Sequence, residues 1–579
     1  MPTTLRVFTN EDDALLFWTI AGPIPGCRGF AIERKITRSG QTKELRDFLP
    51  NRTGFAGQPL PPDPHGSGVS RPSTEWPFQR FSWIDHDANT GDTVSYRVVP
   101  IVRNAQGALE SVEIEATQFS APAVLGQATG SKYRAFFNRG FVMSQFMARF
   151  LAEHKLTLKQ FKAQIARPAG ADFERRIRTF LSGDLRKELL DLLETARADK
   201  TDVYGALFEL SDDELITALE QLGKRAHIVL ANGSVQKKKN ETSEEARKRD
   251  ENKTARKRLV TARVDVSVKD RFLSPGALGH NKFLVLIDKQ GKPARVWTGS
   301  TNWAPTGLCT QVNNGLLITD HAIADIYLAQ WKRLRAAGSA FPDDLMDANS
   351  AAHHSGKATV WFSRSRKKVD LAALSAEVAR AKHGILFLMF MPGATGILGD
   401  VMARAGEPGL YVRGVVSELP HGRSDESEAE VHLVTGKAST QMHLDIIEPE
   451  GVKRPMANFA AEVTRTQFLS QVGHAIIHSK VLVIDPFGAD PVVVTGSHNF
   501  SVSASGKNDE NFVIIRGDKP LAQAYAVNVE GAYQHYRWRA FLAETNIPFN
   551  GLRDDDAWQA PKLKSAAKEL DFWGLGAFV

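Results

Sequence analysis

The sequence predicts an α/β protein made of two homologous halves that share one active site, preceded by a small all-β sandwich. Three observations carry the prediction. A strand–helix–strand order occurs twice, residues 1 to about 120 alternate apolar and polar positions in short runs, and one constellation of polar residues occurs twice at matched spacing.

The constellation is densest between His474 and Asn511, which read HAIIHSKVLVIDPFGADPVVVTGSHNFSVSASGKNDEN. His478, Lys480 and Asp485 form H-x-K-x4-D, Gly496, Ser497 and Asn499 form G-S-x-N, and Glu510 sits in an N-D-E-N turn. Val481 to Ile484 is an apolar run stopped by Asp-Pro, which reads as a short buried strand. His478 and Lys480 are two apart and fall on one face of such a strand. The first copy is GHNKFLVLIDKQGKPARVWTGSTNW, with His280, Lys282, Asp288, Gly299, Ser300 and Asn302 in the corresponding places. Ser300 to Ser497 and Asn302 to Asn499 are 197 residues apart, and His280 to His478 is 198. The difference is one extra residue before Asp288, for which the sequence predicts a β-bulge between Lys282 and Asp288 that restores the following strand. Imidazole, ammonium, hydroxyl and amide groups gathered together suit an anionic phosphate, since all can donate hydrogen bonds and histidine can also attack phosphorus.

At these residues the sequence resembles the phospholipase D superfamily, whose members carry two H-x-K-x4-D motifs, each followed by G-S or G-G and an asparagine. The resemblance spans roughly residues 130 to 545. It implies two phospholipase D-like α/β halves and a metal-independent phosphodiesterase that works through a covalent phosphohistidine, with no cofactor. One neutral imidazole attacks phosphorus while the other histidine, protonated, serves the leaving alkoxide. Lys282, Lys480, Asn302 and Asn499 would hold the non-bridging oxygens, with Ser300 and Ser497 assisting. Aligning NDENFVII with VNNGLLI sets Glu510 opposite Asn313. An acidic residue near this point orients a catalytic histidine in the resembled family. A carboxylate favours imidazolium, so the reading assigns Glu510 to His478 as the acid and leaves His280 as the nucleophile, with Asn313 fixing a tautomer or simply capping a turn.

The remaining elements follow in order. A chain of 579 residues suggests two to four units, and 42% hydrophobic with 24% charged residues is an ordinary globular composition. The expected units are a sandwich over 1–120, a first half with a helical insertion over 130–350, a second half over 357–545, and a tail over 546–579 that packs onto the body. In the sandwich, Leu15 to Ile20, Phe30 to Lys35, Arg80 to Ile84 and Ser95 to Val102 read as strands, with Trp18, Trp83 and Tyr96 as core. GFAIERK, FSWIDHD and SYRVVPIV are similar to a fibronectin type III-like domain. Residues 50 to 78, with seven prolines, read as a long loop or irregular edge. Lys132 to Ala198 turn helical, with FMARFLAEH and LRKELLDLLETARA as amphipathic stretches. Arg139, Ser144 and Gln145 lie in the less helical FNRGFVMSQ, where Arg139 reads as a solvated arginine rather than a phosphate ligand. Ser211 and Glu214 suggest a capping box for a helix between strands Ala206 to Leu210 and Ala226 to Leu230. The second half repeats this order with Ile385 to Phe390, a helix near Ile397 to Arg404, and Tyr411 to Val416.

Charge and cysteine content narrow the function. Cys27 and Cys309 offer neither a disulfide framework nor a cysteine zinc site, and no metal ligand set is expected. The start of the chain lacks a cationic signal-peptide region, and no run of about 20 apolar residues occurs, so the expectation is a cytoplasmic monomer, with signal-independent export as the alternative. The net charge is +7, and Lys237 to Arg258 holds ten basic and five acidic residues. That segment reads either as a solvated helical hairpin or loop, or as a contact for an anionic surface beside the site. His353 and His354 read as linker. Three functions remain open. The first is a phospholipase D-type phosphodiesterase on phospholipids, the second a nuclease of the same superfamily favoured by a pI near 9.1. The third is a catalytically degenerate scaffold suggested by the displaced Asp288.

Overall fold

The computed structural model describes residues 3–59, 69–126, 131–140, 160, 163, 165–167, 173–267, 270–390, 392, 396–405, 407–416, 445–447, 477–544 and 551–575. Ser144, Gln145, the FMARFLAEH stretch and the last four residues of the tail lie outside them.

The N-terminal region is all antiparallel β. One sheet joins Thr4–Thr9, Ala14–Thr19 and Ser82–Asp85, and the other joins Ala123–Val124, Thr93–Arg103, Cys27–Thr37 and Glu44–Phe48. Trp18 and Tyr96 are buried as predicted, and the Tyr96 hydroxyl donates to Asp85 at 2.8 Å. Trp83 is half-buried and rests on Phe78. Ala14–Thr19 departs from the alternation expected of a sandwich strand because all six residues are buried. The tail explains this: Trp573, just after the Gln559–Phe572 helix, stacks on Phe17 at 4.8 Å, and Trp558 packs against Phe30 and Phe81. Phe572 stacks on Tyr411 of the second half, so the tail clamps the sandwich to the body.

The two α/β halves have matching sheets. In the first, the strands run in the order Tyr133–Phe137, Asn314–Thr319, Pro293–Gly299, Lys282–Ile287, Val203–Leu207, Ala226–Leu230 and Asp265–Val266. In the second, the order is His353–Ser355, Ala358–Ser363, Glu510–Arg516, Val492–Gly496, Val481–Ile484, Gly384–Met389, Tyr411–Val416 and Asp445–Ile447. Each strand–helix–strand unit gives a parallel pair, Val203–Leu207 with Ala226–Leu230 and Gly384–Met389 with Tyr411–Val416. Each motif strand then adds antiparallel to the first member of its pair. These central strands are apolar on both faces because helices cover both. His321–Ala337 and Lys519–Glu544 lie between the halves: Tyr327 packs on Phe283 of one sheet and Phe362 of the other.

Two local expectations need correction, and a third agrees with the solvated helical reading. The Asp213–Leu222 helix is capped by Asp212, which accepts from the Leu215 N–H at 3.2 Å, and Glu214 turns instead to the buried Arg178 at 2.7 Å. Arg139 is not solvated. It pairs with Asp12 at 2.8 Å, donates to the Ala88 carbonyl at 3.1 Å and packs on Phe180, fastening the sandwich to the first half. The Lys237 to Arg258 segment holds two short helices, Ser243–Arg247 and Lys253–Thr261. Arg249, Arg256 and Arg258 are tied to local carboxylates, while Lys237, Lys238, Lys239, Arg247, Lys253 and Lys257 face solvent. No helix among the described residues is long and apolar enough to cross a membrane.

Candidate active site

Each half delivers its histidine and lysine at the start of its motif strand. Lys282 opens Lys282–Ile287 with His280 two residues earlier, and His478 and Lys480 lead into Val481–Ile484. A phenylalanine at the end of the adjacent strand supports each pair. Phe208 lies 4.7 Å from the His280 ring and 4.9 Å from Lys282 Nζ, and Phe390 lies 4.8 Å from His478 and 4.7 Å from Lys480. Each lysine also donates to the carbonyl of its own histidine, at 2.8 Å for Lys282. The two imidazole centroids are 6.4 Å apart, a gap that one phosphoryl group can bridge.

The halves meet through hydrogen bonds that repeat about a pseudo-twofold axis. Thr298 donates to Asn511, and Asn314 donates to Thr495. Tyr327 donates to Asn511 at 3.0 Å, and Tyr525 accepts from Asn314 at 3.0 Å. The backbone crosses as well: the His280 N–H donates to the Asp509 carbonyl and the His478 N–H to the Val312 carbonyl, both at 2.9 Å.

This crossing overturns the expected pairing of Glu510 with His478. Because the chain before Glu510 runs beside His280, Glu510 Oε1 stands 3.3 Å from His280 Nδ1. His478 Nδ1 instead faces two neutral acceptors, Asn313 Oδ1 at 2.9 Å and the Ser300 carbonyl at 3.1 Å. At His478 these acceptors hold the proton on Nδ1, which leaves the Nε2 lone pair for chemistry, whereas His280 Nδ1 makes no hydrogen bond and Glu510 acts on it as a nearby charge. The Asn313 orientation is fixed, since its Oδ1 also accepts from Ser300 Oγ at 2.7 Å while its Nδ2 donates to the Gly307 carbonyl.

Burial and like charge set the protonation states. His280 is pushed down to about 4 by burial and by Lys282, against the pull of Glu510. His478 goes well below its ordinary range through burial, Lys480 and Lys282. Burial lowers Lys282 to about 7, with Glu510 and Glu209 opposing the shift, and drives Lys480 well below its ordinary value with Lys282 adding to the effect. Burial works to raise Glu510, but His280, His498 and the Asn508 hydrogen bond together outweigh it and hold the carboxyl at about 2. The free site therefore holds neutral imidazoles over an ionised glutamate, and an arriving anion restores proton affinity to both rings.

The other sequence-selected residues divide into those at the site and those that build it. Asn302 Nδ2 donates to Glu209 at 2.8 Å, and the Asn499 backbone N–H donates to Glu510 at 3.0 Å. Both asparagine Oδ1 atoms are buried and carry no hydrogen bond. Ser300 and Ser497 tie strands together, accepting from the Asn314 and Asn511 N–H groups at 3.0 Å. Asp288 and Asp485 lie at the far ends of their strands and are not equivalent. The Ile287 N–H donates to Asp202 where, in the second half, the Asp485 N–H donates to Gly384. Asp288 is thus one residue further along and caps its own turn through the Gln290 and Lys292 N–H groups, both at 2.9 Å. Asp485 binds the N–H groups of Lys382, His383 and Gly384. A register shift does occur within the predicted interval, at Leu286/Ile287, but its unopposed residue, Ala294, lies on the facing strand, so it does not absorb the extra residue before Asp288.

Phe208, Phe390 and Glu209 were not found from the motifs. The signal for the phenylalanines lies in register: the ends of YGALFEL and ILFLMFM align once their strands are paired to the two motif strands.

Comparison with known proteins agrees with this architecture. The family described as cardiolipin synthase, PLD-like domain, matches residues 189–335 and 376–532, together more than half of the chain and one segment in each half. A phospholipase D of Rickettsia prowazekii (strain Madrid E) is 45% identical over 53 residues, a stretch that covers 9% of this chain and 23% of that protein. Among solved structures, phosphatidylserine synthase of Haemophilus influenzae Rd KW20 aligns at 14% identity and a TM-score of 0.38, covering 69% of this chain and 94% of its own. Polyphosphate kinase of Porphyromonas gingivalis aligns at 10% identity and a TM-score of 0.38, covering 94% and 82%. These structural likenesses carry no weight on substrate. The two matched segments, each contributing one histidine–lysine pair to a common site, place the chain in the phospholipase D superfamily.

Proposed function

We propose that the protein cleaves or transfers the phosphodiester of a phospholipid through a covalent phosphohistidine. The observation that carries this reading is the pair of imidazoles 6.4 Å apart, with the buried Lys282 and Lys480 close enough to lower the proton affinity of both rings. His280 is the nucleophile and His478 the general acid, as the sequence suggested but for a different reason. Attack by Nε2 of His280 forms the N–P bond, breaks the P–O bond to the leaving group and leaves a permanent positive charge on the ring. Glu510 at Nδ1 stabilises that charge. His478 must surrender its proton to the leaving alkoxide, and its neutral partners Asn313 and Ser300 suit the uncharged ring that results. Lys282, Lys480, Asn302 and Asn499 hold the non-bridging oxygens. Water, or an acceptor alcohol, then attacks phosphorus as His478 takes its proton back, which regenerates His280.

A nuclease is the second reading, favoured by the solvent-facing lysines and arginines of Lys237 to Arg258. Asn252 in that segment donates to the Phe208 carbonyl at 2.8 Å and accepts from the Leu210 N–H at 3.0 Å, so the segment adjoins the loop at the site. The complete pair of histidines and lysines speaks against a degenerate scaffold.

A substrate panel run in excess chelator separates these readings. Choline or glycerol release from liposomes, abolished by His280→Ala, is the expected result. Cleavage of polynucleotide alone, with a steep dependence on salt, would transfer the assignment to the nuclease.

A further inference from the structure

Glu209 stands apart from the twofold plan of the site. It follows Phe208, whereas in the sequence the residue after Phe390 is a methionine. Its main chain is locked on both sides. The Trp303 N–H donates to the Glu209 carbonyl at 3.2 Å, and the Asn252 side chain bonds the carbonyl of Phe208 and the N–H of Leu210. Its side chain reaches Asn302, whose Nδ2 donates to Oε2 at 2.8 Å. Because a carboxylate only accepts, this bond fixes which end of the Asn302 amide points where. One Nδ2 hydrogen is engaged, and the other is held in the amide plane. Asn499 has a different support, its backbone N–H on Glu510. A carboxylate thus holds the side-chain amide of Asn302 but only the main chain of Asn499.

We propose that Glu209 is a positioning residue that aims the Asn302 amide at a non-bridging phosphate oxygen, a task that no carboxylate performs for the Asn499 side chain among the described residues. A bare carboxylate beside an anion site would repel the substrate. Its place is explained by the hydrogen bond it accepts and by its position near Lys282, which also faces Glu510 as an anion, Lys480 as a group of like charge and the neutral His280 ring. Burial raises the Glu209 carboxyl, while Lys282 and the Asn302 bond oppose that rise.

The inference rests on the proposed role of Asn302, and the test keeps the two apart. Steady-state rates on an aryl phosphodiester are compared for Glu209→Ala, Glu209→Gln, Asn302→Ala and the double alanine variant, with His280→Ala as the inactive reference. A hydrogen bond to a charged group corresponds to about 10- to 100-fold in rate, so Glu209→Ala is expected to lower kcat by that factor with little change in KM. The double variant should be no slower than the slower single variant. Glu209→Gln should recover most of the rate, because its amide oxygen still accepts from Asn302, while the alkaline limb of its pH profile moves down as Lys282 loses a neighbouring anion. Glu209→Gln as slow as Glu209→Ala, or multiplicative losses in the double variant, would overturn the positioning role. Full activity of Asn302→Ala would instead overturn the reading of the site on which it rests. Since Glu209→Gln is nearly isosteric, it decides the question even if the alanine variant fails to fold.

Discussion

His280 and His478 occupy equivalent positions but stand in unlike surroundings, and their kinetics should differ accordingly. With an aryl phosphodiester, whose leaving group needs no proton, His478→Ala should still form a covalent adduct, whereas His280→Ala should form none. On an alkyl phosphodiester His478→Ala should lose about 100- to 10,000-fold, the usual contribution of a general acid. Rapid-quench mass spectrometry of the two variants checks both outcomes, and an adduct on His478 would exchange the roles. The pH profile follows from the same charges. His280 attacks only when neutral, so kcat/KM should rise through about pH 4. Lys282 has a lowered pKa, so its charged form is present below about 7 and is lost as pH rises through that value. The alkaline fall of kcat/KM should therefore set in at or below about 7, since the proton that His478 donates is also held below the ordinary histidine range, whereas an unperturbed lysine alone would give no limb below about 10. A flat profile from pH 7 to 9 would contradict it.

At the scale of elements, the doubled motif made much of the site legible. His280, Lys282, Asn302, His478, Lys480 and Asn499 could be chosen without coordinates because motif residues lie close together in sequence at strand ends. The partners were not legible for a topological reason. Glu510 crosses to His280 because the turn before Glu510–Arg516 runs beside residue 279 of the other half, a contact between residues 230 positions apart. Glu209 was hidden because nothing local marks it until the Val203–Leu207 strand is set beside Lys282–Ile287. The helix start moved from Ser211 to Asp212 because the distant Arg178 claims Glu214. The two motif aspartates show how like sequence can serve unlike structure. Asp485→Ala should cost about 1–3 kcal/mol, since it removes three hydrogen bonds at the start of Gly384–Met389, of which that to the Gly384 N–H is part-buried. Asp288→Ala, on an exposed turn, should stay within about 0.5 kcal/mol. Denaturant midpoints at unchanged m-value measure both, and equal losses would show the aspartates to be equivalent after all.

Across the whole molecule, the sandwich, the two halves and the tail are joined by buried contacts rather than by a loose linker. Arg139 is the sharpest of these, because its guanidinium is buried against Asp12 of the sandwich. Arg139→Ala should destabilise the protein by about 3–5 kcal/mol, the usual cost of stranding one member of a buried ion pair. Thermal unfolding measures the loss, and the rate per folded molecule should be unchanged because the guanidinium's partners, Asp12, Ala88 and Phe180, are not site residues. The shared site makes a stronger demand on the whole molecule: both halves must act on one phosphorus, in two successive in-line displacements, the first by His280 and the second by water or an alcohol. The most direct test is the stereochemical course at phosphorus, using a phosphodiester made chiral by isotopic or sulfur substitution and transferred to an alcohol acceptor. Two displacements predict net retention of configuration. Net inversion would mean a single direct displacement and would contradict the phosphohistidine mechanism.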